Sequence, residues 1–306
     1  MKISIVTPVY FNGPTLPKLF AELKKVEAKL KSRYILLEII FVDDGSKDDS
    51  LEKLILFKGK SKNIKIVKLT KNFGSMAAIR AGLNFVTGDA FTLLAADLQE
   101  PPELIINMVD KWLGGFKYIV CARKERKDPL FTRFFSGFYY ILLRALVVQD
   151  YPTGGYDLSL MDKALLPFMQ KSGKSVNLLL YAHSLGFKRE IIYYKRRQRD
   201  SGKSMWTFSK KLNFFIDSIL GSSILPLRYI SLVGVITSIG SFVYGFYIII
   251  NALSNSIPIP GWASLAVLIS MLMGLVIFML GMIGEYIWRI YNELNGTPDA
   301  VIDEIF

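Results

Sequence analysis

The chain has 306 residues, 51% of them hydrophobic, and 38 Lys and Arg against 26 Asp and Glu give a formal net charge of +12. A single cysteine and a single histidine leave no room for an intrachain disulfide, a thiolate metal cluster or a multi-histidine zinc site, and a histidine-based triad would rest on one residue. The length accommodates one sizeable α/β domain plus something smaller, and the basic balance narrows the partner classes to nucleic acid, anionic lipid or a phosphorylated substrate.

In chain order, Met1 to Tyr10 is too short an apolar run for a signal peptide and leads into the turn Phe11-Asn12-Gly13-Pro14, so the N-terminal domain is expected to stay on the side where it is made. Ile3 to Val9 predicts a strand, Pro17 to Leu30 a helix, and Leu36 to Val42 a second strand that stops at Asp43-Asp44-Gly45-Ser46. Asp48 to Phe57 has helical spacing, Ile64 to Leu69 reads as a third strand, Gly74 to Val86 as a helix and Ala90 to Ala95 as a fourth strand. Pro101 and Pro102 then start a helix, and Tyr118 to Ala122 is a fifth strand. This alternation predicts an α/β fold with a mainly parallel sheet and ligands at the carboxyl ends of its strands. Cys121 reads as a small core residue, and His183 suits a structural role.

The acidic residues fall at those strand ends. Asp43 and Asp44 are placed to accept hydrogen bonds from a base or ribose, although Asp-Asp-Gly-Ser equally suits a turn with a helix cap. If the chain stays extended past Ala96, the side chains of Asp97 and Gln99 point the same way and converge. Two hard oxygen ligands suit Mg2+ or Mn2+, which also take substrate phosphate oxygens and would offset charge on a leaving diphosphate.

The second half changes character. Phe131 to Val148 mixes aromatic and aliphatic residues with Arg133 and Arg144, and suits either the bilayer surface or a core helix with snorkelling cations. Lys188 to Lys211 is strongly basic, a stretch for anionic headgroups or a solvated face. Trp206 to Leu225 interleaves Lys210, Lys211 and Asp217 with large apolar residues, as an amphipathic helix at the membrane would. Tyr229 to Leu253 and Trp262 to Trp288 are each long enough to span a core of ~30 Å. Arg228 and Arg289 flank them and the connector Ser254 to Gly261 carries no Lys or Arg, so both termini are expected on the cytoplasmic side. Gly234, Ser238, Ser270 and Gly274 permit close helix packing, as in a homo-oligomer, but match ordinary intramembrane composition as well.

The ordered set Val6-Thr7-Pro8-Val9-Tyr10-Phe11-Asn12, Val42-Asp43-Asp44-Gly45-Ser46-Lys47-Asp48, Lys71-Asn72-Phe73-Gly74, Ala81-Gly82-Leu83 and Asp97-Leu98-Gln99-Glu100-Pro101-Pro102-Glu103 resembles glycosyltransferase family 2. Within it the chain is similar to the polyprenyl-phosphate sugar transferases, the group that includes dolichol-phosphate mannose synthase and the bactoprenol glucosyltransferases. The likeness covers essentially the whole chain; each motif alone is weak, and their order is specific.

The resemblance implies a GT-A fold, Rossmann-like with a mainly parallel sheet, and a C-terminal two-helix transmembrane anchor. The implied layout is a catalytic domain over 1–205, a juxtamembrane amphipathic helix over 206–228, a transmembrane hairpin over 229–290 and a cytoplasmic tail over 291–306. Pro8, Tyr10, Asp43 and Asp44 would hold the nucleotide, with Asp43 near the base, and Asp97 would join them at the nucleotide-sugar. Asp97 and Gln99 would bind Mg2+ or Mn2+. Arg123, Arg133 and Ser136 would face the acceptor phosphate, with Arg199 and Ser204 from a run that resembles the family's Arg-x-x-Gly-x-Ser acceptor loop. Asp157 matches the Asp of an Asp-Phe-Arg-Leu motif and would be the catalytic base beside Asp97.

Two departures stand out. Many relatives carry Asp-x-Asp-x-Gln where this chain begins with Ala95, and Ser159 replaces the Arg that follows the matched Asp157. The implied reaction is inverting transfer of a hexose from a nucleotide-sugar, UDP by resemblance, to undecaprenyl phosphate. It would take place at the cytoplasmic face of the inner (plasma) membrane, for cell-envelope glycan modification. A polysaccharide synthase is disfavoured because no Gln-x-x-Arg-Trp motif occurs and two spans do not form a polymer channel. An inactive membrane scaffold, raised by Ala95, would bind no nucleotide-sugar. Nucleic acid is not expected as a partner, because the basic cluster adjoins a membrane span.

Overall fold

The computed structural model describes all residues except 125–129, 153–154, 175, 198–214, 222 and 255–260; in helical stretches the side chains of 130–136, 138, 245, 248–249, 251–254, 262–264, 266–267 and 270 are likewise not described. Eight strands form one sheet: β1 (Lys2–Val9), β2 (Leu36–Asp43), β3 (Ile64–Leu69), β4 (Ala90–Leu93), β5 (Tyr118–Arg123), β6 (Tyr156–Asp162), β7 (Arg189–Tyr194) and β8 (Ile302–Ile305), in the spatial order β7-β5-β6-β4-β1-β2-β3-β8. β1 pairs in parallel with β2 and β4, and β2 with β3. β5 pairs in parallel with β7, whereas β6 runs antiparallel to β4 and β5, and β8 antiparallel to β3.

The central strands are covered on both faces, which is why they read as near-continuous apolar runs. On one face lie α1 (Leu16–Lys31), α2 (Ser50–Gly59) and α4 (Leu104–Leu113). The helix α1 has Pro17 in its first turn and buries Leu16, Leu19, Leu23, Val26 and Leu30, the one-sided stripe of an amphipathic helix. On the other face lie α3 (Ser75–Leu83), α5 (Leu130–Leu146), α6 (Leu166–Gln170) and α7 (Leu178–Ser184). Leu143 of α5 is fully buried in that second core while Ile141 is 59% exposed, so this helix packs on the domain along one side and leaves the other uncovered.

The helices α8 (Leu225–Ser254) and α9 (Trp262–Leu294) are 30 and 33 residues long. At 1.5 Å per residue they reach about 45–50 Å, more than a ~30 Å hydrocarbon core requires. Leu225–Tyr244 and Met271–Leu294 are long and apolar enough to cross a membrane, and neither is buried within the protein, unlike a core helix of a soluble domain. Phe242, Phe246, Met271 and Ile277 point their side chains away from protein. The first helix starts and ends outside the stretch read from sequence, the second starts at the residue read and runs beyond its end, and residues 291–306, read as a tail, contribute the end of α9 and strand β8.

His183 is 2% exposed. Its Nε2 lies 3.0 Å from Asp150 Oδ1 and its Nδ1 3.2 Å from the Tyr156 hydroxyl, which in turn meets the Tyr118 hydroxyl at 2.8 Å. Burial pulls the imidazole down to about 4 from 6.5. The folded state therefore favours neutral His183: its contribution is complete above the unfolded value and is lost as pH falls through that value toward about 4. In thermal melts from about pH 7.5 to about pH 4.5, wild type should lose more Tm than His183→Asn, which starts lower but has a flatter profile. Parallel profiles would remove His183 as the cause.

Candidate active site

Strand order reverses at β1, which has β2 on one side and β4 on the other. In open α/β sheets such a switch point opens a crevice at the carboxyl ends of the strands. Pro8 lies at the end of β1 and Tyr10 just beyond it, with Asp43 ending β2 and Asp44 following it. The Asp44 amide donates to the Val9 carbonyl at 2.9 Å, joining the two strand ends. The loop after β1 is then held by side chains from the loop after β2. Phe11 N donates to Ser46 Oγ at 3.2 Å, Asn12 N to Ser50 Oγ at 3.0 Å and Gly13 N to Asp48 Oδ2 at 3.2 Å.

The two aspartates have different tasks. Asp44 accepts from the Phe73 amide at 2.7 Å, the Gly74 amide at 3.0 Å and Asn72 Nδ2 at 3.0 Å, so its carboxylate braces the Lys71-Asn72-Phe73-Gly74 loop. Gly45 between these loops has φ +70, and a Cβ there would stand 2.6 Å from the Lys71 carbonyl carbon, so both conformation and space require glycine. Asp43 is 1% exposed and its Oδ1 has no hydrogen-bond partner among the described residues. Burial raises both carboxyls above the usual range, opposed at Asp43 by hydrogen bonds from Ser46 and at Asp44 by the Phe73 and Gly74 amides. A buried carboxylate oxygen left without a donor is costly unless a ligand supplies one.

The expected convergence of Asp97 and Gln99 through strand alternation is corrected by the backbone. β4 ends at Leu93 and the chain turns over residues 96–97, with Leu98 at φ 61. Asp97 Oδ1 accepts from the Gln99 amide at 3.2 Å, so a side-chain turn, not an extended segment, relates the two residues. Thr15 Oγ1 donates to the Ala96 carbonyl at 2.9 Å and pins this turn to α1. Asp97 and Gln99 are half-buried and Ala95 is exposed.

No group of three or more His, Cys, Asp or Glu gathers for a metal among the described residues. One carboxylate and one amide at a strand end are hard oxygen donors that fit a divalent cation only as a shared site, with substrate oxygens completing the shell.

Arg123 ends β5 and Asp157 lies on β6. The two form an ion pair, and Arg196 Nη2 adds a second contact to Asp157 Oδ2 at 3.4 Å. Arg196 Nε also binds the buried Glu100 at 3.1 Å. Burial raises the Glu100 carboxyl, with Arg196 pulling the other way, and burial together with Glu100 pushes Tyr194 up to about 12. Arg197 donates its amide to the Gln99 carbonyl at 3.1 Å and grips Glu22 at 2.8 and 2.9 Å and Glu103 at 3.2 Å. Thus the segment after β7 is fastened to the turn that carries Asp97.

In the sequence Arg196 and Arg197 stand out only as members of a basic run, and nothing there assigns Glu22, Glu100 or Tyr194 a role. The spacing between Glu100 and Arg196 carries no periodic signal. Arg133 and Ser136 lie on α5, where their side chains are not described, and Arg199 and Ser204 lie outside the described residues. A cleft of about 460 Å3 lined by Lys2, Lys31, Lys58 and Lys62 occupies the opposite, amino end of β1 to β3 and shares no residue with this constellation.

The family described as Glycosyl transferase family 2 matches residues 4–166, more than half of the chain. This chain belongs to Glycosyl transferase family 2. The enzyme is a glycosyltransferase, and its mostly parallel sheet is a GT-A-like α/β fold. An uncharacterized glycosyltransferase of Synechocystis sp. is 34% identical over 100% of this chain and 96% of its own length. The SfII prophage-derived bactoprenol glucosyl transferase of Shigella flexneri is 30% identical over 99% of this chain and 97% of its own. The undecaprenyl-phosphate 4-deoxy-4-formamido-L-arabinose transferase of Klebsiella pneumoniae is 29% identical over 99% and 93%. Among solved structures, a mannosyltransferase of Pyrobaculum calidifontis in complex with GDP-Man and Mn2+ is 14% identical, covering 96% of this chain and 88% of that one with a TM-score of 0.43.

Proposed function

We propose that this glycosyltransferase moves a hexose from a nucleotide-sugar, a UDP-sugar by preference, to undecaprenyl phosphate or a similar polyprenyl phosphate. The reaction takes place at the cytoplasmic face of the inner membrane, in which α8 and α9 form a hairpin. The observation that carries this reading is the pair of guanidiniums, Arg123 and Arg196, gathered on one carboxylate beside the Asp97 turn. Two cations next to a diphosphate site suit a second, acceptor phosphate. Full-length likeness to enzymes named for bactoprenol and undecaprenyl phosphate supports the acceptor class.

In this reading the unpartnered Asp43 Oδ1 accepts an N–H of the base, and Pro8 and Tyr10 border the nucleotide. Asp44 acts indirectly by holding the 71–74 loop. Asp97 and Gln99 would hold Mg2+ or Mn2+, which offsets charge on the leaving diphosphate. Arg123 and Arg196 bind and orient the acceptor, so that one phosphate oxygen attacks the anomeric carbon opposite the leaving group and inverts it. A phosphomonoester has a second pKa of about 6, so the acceptor is mostly a dianion at neutral pH and needs little help from a base. Asp157, held by two guanidiniums, then serves to position them. Arg133, Ser136, Arg199 and Ser204 remain candidates for the same phosphate.

The test is to incubate detergent-purified protein with Mg2+ or Mn2+, undecaprenyl phosphate and a panel of labelled nucleotide-sugars. One donor should label the lipid. Failure of every donor with folded protein would overturn the assignment of donor and acceptor.

A further inference from the structure

After α9 the chain returns to the catalytic sheet as β8. Asn295 caps α9, Gly296 turns the backbone at φ 63, and residues 295–301 lead directly into β8. Seven residues reach at most about 25 Å when fully extended, so the end of α9 cannot move far from the β3 edge.

This leash is also held along its length. Lys174 donates its amide to Glu293 Oε2 at 3.1 Å and its ammonium to the Asn292 carbonyl at 3.2 Å and the Thr297 carbonyl. Arg80 of α3 pairs with Asp299 at 3.5 Å and binds the Gly173 and Val176 carbonyls at 3.1 and 3.2 Å. Thr70 N donates to the Val301 carbonyl at 3.0 Å, Ile66 and Phe306 exchange two backbone bonds at 3.1 and 2.9 Å, and Lys68 Nζ meets Asp303 at 2.6 Å. Lys68 is the cross-strand partner of Asp43, and α3 begins directly after Gly74. The leash therefore grips the two elements next to the paired aspartates.

The segment that enters the membrane hairpin is fastened as well, with the Phe215 ring 5.7 Å from that of Tyr139 on α5. Arg289 Nη2 of α9 binds Asp217 Oδ1 at 2.7 Å, and the Tyr286 hydroxyl donates to the Ser223 carbonyl at 3.2 Å, immediately before α8. A domain joined through one linker can swivel over a bilayer, whereas one fixed at entry and exit has a set height and tilt. The four residues of β8 are all exposed and bury little, so core packing does not account for them.

We propose that residues 292–306 are a positioning clasp that fixes the catalytic cleft relative to the membrane, so that a lipid-borne phosphate meets the Arg123–Arg196 pair. This rests on the polyprenyl-phosphate reading above. The clasp acts on delivery of the acceptor, not on the nucleotide-sugar.

The test uses full-length Ile302→Pro, which removes an edge amide, and Asp303→Lys, which opposes Lys68, reconstituted in liposomes. Transfer is compared between undecaprenyl phosphate in the bilayer and a short-chain, water-soluble prenyl phosphate. Transfer to the embedded acceptor should fall about tenfold or more, since displacements near 1 Å can cost that much. Nucleotide-sugar Kd and turnover on the short acceptor should stay within about twofold of wild type. Equal losses on both acceptors, or no loss on the embedded one, overturn the clasp. Wild type that labels neither acceptor overturns the acceptor reading and the clasp with it.

Discussion

Asp97→Asn should lower transfer by about 10^3-fold, because a cation-held diphosphate is worth several kcal/mol in the transition state and each 1.36 kcal/mol is tenfold. Asparagine keeps an oxygen to accept the Gln99 amide, so the turn survives and only the charge is lost. Nucleotide binding in chelator should therefore change little. The companion Ala95→Asp adds a carboxylate at an exposed position without a burial penalty and should lower the Mg2+ or Mn2+ concentration for half-maximal activity. Full activity in Asp97→Asn with an unchanged metal titration would sink the assignment.

Arg123→Gln should cost about 10^2-fold in kcat/KM for the acceptor, since it removes a mostly buried guanidinium and takes a partner from the half-exposed Asp157. Its side chain is 13% exposed, its Nε has no partner among the described residues, and of the described residues Asp157 would keep Arg196. Asp157→Asn separates two roles. A general base would be worth about 10^2–10^4-fold and would take a limb of the pH–rate profile with it. A positioning carboxylate should instead cost about tenfold, as partners one step removed from a reacting centre commonly do, with a raised acceptor KM and both limbs intact. Steady-state kinetics against pH on both variants decides.

The parallel half of the sheet was legible because β1, β2 and β4 are buried along most of their length and read as mainly apolar runs, while β3 alternates lysine with buried Ile, Val and Leu. The two long apolar helices were legible from length and composition. The rest depends on contacts distant in sequence. β6 runs antiparallel through the sheet and mixes Asp157 and Ser159 with Leu158 and Leu160, a pattern that does not disclose its partners. β8 has four residues, two of them acidic, and becomes a strand only because β3 offers an edge. At the site, the aspartates at strand ends could be read from order and type. Leu98 at positive φ could not, since nothing in a leucine announces that conformation. Nor could the pairing of Glu100 with Arg196, which requires closing a long loop.

The place of β8 in the sheet also sets an order of assembly. β3 is made about 230 residues before the strand that covers it, which is roughly 12–46 s at 5–20 residues per second. Through that interval α8 and α9 are synthesised while the β3 edge stands open, guarded by Lys65 and Lys68. The catalytic sheet is therefore completed only after both long apolar helices have been made, and its last strand waits on the segment that precedes it.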